Sequence, residues 1–65
     1  MVYANLKAEM VRKHLSVNEL AKKMNITKKQ LELKLLGLHE FNLDEIEFIL
    51  REFNDCNFDY LFQLK

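Results

Sequence analysis

The sequence predicts an all-α domain of five short helices organised around a helix-turn-helix. Three observations carry this. The chain has 65 residues, one glycine (Gly37), no proline and 49% hydrophobic residues. That composition is too poor in turn residues for a sandwich or barrel. Three segments begin with the side-chain pair of a capping box, Ser16 with Glu19, Thr27 with Gln30 and Asn42 with Glu45. In such a box each side chain satisfies a backbone amide that the first helical turn leaves without a partner. Only Met24-Asn25-Ile26 separates the first two predicted helices, and Asn25 tolerates the left-handed backbone that a tight turn needs.

The elements follow in order. A first helix over about residues 6–14 is expected, with Asn5 as its cap, Leu6 and Met10 inward, and Lys7, Glu9, Arg12 and Lys13 outward. The second covers 17–23. Leu15 and Leu20 are placed as a hydrophobic staple, and Leu20, Ala21 and Met24 form the buried stripe. Ala21 is small enough for a close helix crossing. The third covers 28–36, stapled by Ile26 and Leu31, with Leu31 and Leu35 inward and Gly37 as the residue past its end. The fourth opens at Asn42 and ends near Asn54, and Leu43, Ile46, Ile49, Leu50 and Phe53 follow helical spacing. A last short helix is capped by Asn57, and Phe58, Leu61 and Phe62 fold back on the core. Leu20, Ala21, Leu31, Leu35, Ile46 and Ile49 are the expected centre of that core.

The pattern L-A-x-x-M-x-I-T-x-x-x-L followed by Gly37, a further helix and D-Y-L-F near the end resembles the Cro/CI-type (XRE-type) helix-turn-helix domain. L-x-L-K-L-x-G at residues 31–37 is similar to small phage-repressor-like proteins. The resemblance runs from about residue 6 to 62. It implies a five-helix lambda-repressor-like fold and a DNA-binding transcriptional regulator whose third helix lies in the major groove. On the matching positions, it implies that Lys28, Lys29, Gln30, Glu32 and Leu33 face base edges. Ser16 and the amides at the start of the second helix would then hold a phosphate. Double-stranded DNA and a second copy of the chain, as a homodimer on two half-sites, are the implied partners.

Charge agrees with a two-faced molecule. Net charge is zero, with ten basic and ten acidic residues. Residues 1–39 hold eight basic residues against three acidic, whereas residues 40–65 hold two basic against seven acidic. A basic half can face phosphate while the acidic half faces away; the alternative is that these are only the solvated faces of amphipathic helices. The single cysteine, Cys56, forms no intramolecular disulfide and suggests a reducing compartment. No signal peptide and no membrane span are read, so a cytoplasmic protein is expected. No nucleophile, phosphate loop or metal spacing appears, and His14 and His39 stand alone near helix ends. Neither enzymatic activity nor a cofactor is expected.

The chain departs from the family around its third helix. Leu36, Leu38 and Glu40 stand where polar or basic residues usually bind the DNA backbone, Val17 replaces a polar side chain, and Leu33 sits among the readers. Surplus apolar residues on a small domain mark a partner surface, and Leu36, Leu38 and Phe48 are its expected members. The alternative is a slightly rotated packing that buries them. This surplus supports a second function, a helix-turn-helix turned to protein binding, as in an antirepressor or an inhibitor of a host factor.

Overall fold

The computed structural model describes residues 2–64; Lys65, counted in the charge balance, lies outside them. The chain folds as α1 (Ala4–Arg12), α2 (Val17–Met24), α3 (Lys28–Leu35), α4 (Leu43–Glu52) and α5 (Phe58–Leu61), with no strand among the described residues. The start signals work as expected. Ser16, Thr27 and Asn42 each accept from the amide three residues on, and Glu19, Gln30 and Glu45 each accept in return from the capping residue's amide. Asn57 caps α5 alone.

The helix ends share one device. After α1, α2 and α3 a single residue turns left-handed, at His14 (φ 56°), Asn25 (φ 60°) and Gly37 (φ 81°). The amide after each reaches back across the turn, Leu15 to Met10 O, Ile26 to Ala21 O and Leu38 to Leu33 O, at 2.8–3.0 Å. This is the Schellman closure, and glycine is the residue it suits best. Asn25 and Gly37 are legible in the sequence for that reason, and His14 is not.

Nine residues form the centre of the core: Leu6, Met10, Leu20, Ala21, Leu31, Leu35, Ile49, Phe53 and Leu61, none more than 1% exposed. In α1 and α3 the buried pairs are one turn apart, and Ile49 and Phe53 repeat that spacing at the end of α4. A fully buried side chain of this size is worth about 1.5–3 kcal/mol. The α2 and α3 helices pack directly on each other, and α1 packs on α5. Tyr3, Phe41 and Phe62 meet edge to face at 5.5–5.8 Å between ring centres, and Phe58 stacks on Phe62 at 5.2 Å. This aromatic group ties the start of α1, the loop before α4 and the last helix together.

Several expectations are corrected. Asn5 is not a cap: α1 begins two residues earlier than expected, after Tyr3, without a side-chain cap. Asn5 Nδ2 instead donates to Tyr60 O (2.9 Å) and Gln63 Oε1 (3.0 Å), fastening α1 to the far end of the chain. Glu9 does not point to solvent; it is buried between Arg12 Nε (2.6 Å) and the Tyr60 hydroxyl (3.0 Å). Ile46 is only half-buried, and Leu43 is 70% exposed despite its place in the apolar spacing of α4. It is the first residue of α4, so no preceding turn shields it. The α4 helix stops at Glu52, two residues short of Asn54.

Candidate functional site

The outward face of α3 is built by elimination. Leu31 and Leu35 fix one side of the helix in the core. Lys34 fixes the next: its Nζ donates to Glu45 Oε1 (2.8 Å) and Glu40 O (3.1 Å) and lies 6.0 Å from the centre of the Phe41 ring. Both side chains of this pair are nearly covered, 14% and 11% exposed. Glu45 Oε1 also accepts from the Asn42 amide, so the capping box of α4 doubles as the clamp on α3. With those positions held, the Lys29–Glu32–Leu33–Leu36 row, spaced i, i+3, i+4, i+7, is left facing outward.

Lys28, Lys29, Gln30 and Glu32 are all exposed, and Leu33 is half-buried. Gln30 Oε1 is engaged by the Thr27 amide at 2.9 Å. Ser16 is exposed, but its Oγ accepts from the Glu19 amide at 3.1 Å. The Glu19 carboxylate sits over the same helix start, and the Ser16 amide and hydroxyl hold it below the usual carboxylate range. The positive end of α2 is thus already answered by this chain's own carboxylate.

Leu33, Leu35 and Leu36 do not stand alone. With Val17, Lys7, Lys29 and Glu32 they line one open cleft of about 370 Å³. Leu36 is 50% and Leu38 67% exposed. Phe48, expected with them at the surface, is half-buried and packs against the core. Lys7 is the cleft residue that sequence reasoning missed. It lies on α1, and nothing in the spacing of residues 15–37 announces that α1 reaches α3 there.

The charge halves are joined across the fold. Arg12 and Lys13 bond Asp55 (2.7 and 3.3 Å), Lys23 bonds Glu52 (3.3 Å) and Lys34 bonds Glu45. Half of the basic residues among residues 1–39 are therefore paired with acids from the C-terminal half, four bases on three acids. Among the described residues, Lys7, Lys22, Lys28 and Lys29 make no ion pair, and neither do Glu40, Asp44, Glu47 and Asp59.

A second cleft, of about 470 Å³, is lined by Glu9, Arg12, Asp55, Cys56, Asn57 and Tyr60. Its charged groups answer one another. Arg12 holds the carboxyls of Glu9 and Asp55 below their usual range, and the Glu9 carboxylate pushes the Tyr60 hydroxyl up. Burial, and then the neighbouring Glu9, pushes the Cys56 thiol up, which disfavours the reactive thiolate. No group of His, Cys, Asp and Glu side chains among the described residues is arranged to hold a metal ion. No helix there is long and apolar enough to cross a membrane. Comparison with protein-family models, curated proteins and solved structures gave no match for this chain.

Proposed function

We propose that this chain is a small DNA-binding regulator of transcription with a lambda-repressor-like helix-turn-helix. Here α3 is the helix that enters the major groove, and two copies act as a homodimer once seated on two half-sites of the duplex. The observation that carries the reading is at the start of α3. Lys28 and Lys29 are exposed there and make no ion pair among the described residues, while Arg12, Lys13, Lys23 and Lys34 are all tied to acids. A recognition helix contacts bases with its first turns. Lysine donates to guanine O6 and N7 and Leu33 suits a thymine methyl, while the Gln30 amide can pair with adenine on releasing the Thr27 amide. Titration of the protein into labelled random duplex at two salt concentrations tests this. Binding that weakens with salt is expected. For Lys28→Ala or Lys29→Ala, loss of a phosphate contact reduces the salt slope by about one, and loss of a base contact relaxes preference at one position. Absence of duplex binding at low salt would refute it.

One observation favours a second reading, contact with protein. Leu33 and Leu36 floor a cleft on the same face, and an apolar cleft adds little to a phosphate-dominated interface. On this reading the fold serves as an antirepressor or as an inhibitor of a host factor.

A further inference from the structure

The cleft on α3 and the start of α4 are complementary. The cleft offers Leu33 and Leu36 beside Lys7 and Lys29. The start of α4 offers Leu43, the most exposed of the large apolar side chains among the described residues, with Asp44 beside it and Glu47 one turn on. Neither acid has an ion-pair partner among the described residues, and neither does either lysine. Each patch also carries one charge of the opposite sign, Glu32 in the cleft and Arg51 one turn beyond Glu47.

The two surfaces cannot meet within one chain. Lys34 bonds Glu45 and thereby anchors the start of α4 to α3. At 3.6 residues per turn, Lys34 lies about 160° around α3 from Leu36. The acidic knob is thus held on the far side of α3 from the cleft. We propose that the cleft receives the start of α4 from a second copy of this chain, seating Leu43 over Leu33 and Leu36 with Asp44 and Glu47 against Lys7 and Lys29. Knob and cleft lie on opposite sides of α3, so two copies cannot exchange both at once, and the contact is head-to-tail and builds chains or rings, unlike a closed two-fold dimer. It also covers Lys29 and Leu33. The association therefore competes with duplex DNA, and by linkage each weakens the other. Only that competition rests on the DNA-binding reading above.

The test uses the full chain and two variants at exposed positions, Lys29→Glu, which spoils the cleft, and Leu43→Lys, which spoils the knob. Circular dichroism checks that both keep wild-type helix content. Sedimentation of the wild type at low salt is expected to show species larger than a dimer that dissociate as salt is raised. Each variant alone should associate roughly tenfold more weakly or less still. Mixed one to one, the intact knob of Lys29→Glu fits the intact cleft of Leu43→Lys, and the pair stops at a heterodimer. A wild-type monomer, a closed wild-type dimer or a mixture that stays monomeric would each overturn the contact. Added duplex should dissolve the wild-type assemblies. A chain that associates but binds no duplex refutes the DNA reading alone; one that binds duplex but never associates refutes this contact alone.

Discussion

The Lys34–Glu45 pair sets which face of α3 the protein presents, and its removal gives the sharpest test of the fold. Lys34→Met keeps the apolar stem and deletes the charge. The bond lost to Glu45 is charge-assisted, 2.8 Å long and between side chains only 14% and 11% exposed, and the 3.1 Å bond to Glu40 O is lost with it. Such bonds contribute about 1.5–3 kcal/mol. Stranding a fully buried partner costs about 3–5 kcal/mol, but Glu45 keeps the Asn42 amide at 2.9 Å and a helix start that favours its charge. A loss of roughly 1–3 kcal/mol follows, a fall in melting temperature of about 4–8 °C per kcal/mol for a domain of this size. Glu45→Gln should cost less, since the amide oxygen still serves the cap. Urea unfolding of both single variants and the double variant closes the cycle. A coupling energy of about 1 kcal/mol or more is expected; single effects that add within about 0.5 kcal/mol would refute the clamp.

Three other outcomes follow from the same structure. Leu31→Ala empties a site with no exposure and should cost about 2–5 kcal/mol, read as the shift of the urea midpoint. His14→Gly relieves a left-handed residue at φ 56° and should stabilise by about 0.5–1 kcal/mol, seen as a higher melting temperature. Glu9 and Asp55 have carboxyls depressed in the folded chain, chiefly by Arg12. Their contribution is present above the unfolded carboxylate range near pH 4 and is lost as pH falls through the lower folded values. Thermal melts should therefore drop on the acid side of about pH 4, and Glu9→Gln should flatten that limb.

What is legible in the sequence is local. Capping boxes act within four residues, so Ser16, Thr27 and Asn42 announce α2, α3 and α4, and the spacing of Leu31 and Leu35 announces the buried side of α3. What stays hidden is long-range. Glu9 reads as a solvated acid because its partner Tyr60 is 51 residues away. Asn5 reads as a cap because nothing local reveals its bond to Tyr60 O. The rotation of α3 stays hidden because it is fixed by Lys34, whose partner Glu45 is eleven residues on. In the candidate site, the exposure of Lys28, Lys29, Gln30 and Glu32 follows from the helix period. The arrival of Lys7 beside Leu33 does not, since it depends on how α1 crosses the helix pair.

The charge pattern gains a different meaning from the fold. Eight basic residues among residues 1–39 and seven acids among residues 40–65 suggest one face for phosphate and one turned away. Arg12, Lys13, Lys23 and Lys34 instead reach across to Asp55, Glu52 and Glu45, so much of the asymmetry holds the two halves of one small core together. At the exposed sites such pairs are worth little singly, but they fix which charges are left over. Those include Lys7, Lys28 and Lys29 around the apolar row of α3, Lys22 on α2, and Asp44 and Glu47 around Leu43. A partner of this face is therefore acidic in either reading. Leu36 decides between them, because a phosphate backbone gains nothing from that side chain and a protein surface does. Leu36→Asn, at a position half exposed and outside the core, separates the two. Duplex affinity should hold or rise, while any protein contact on the cleft should weaken.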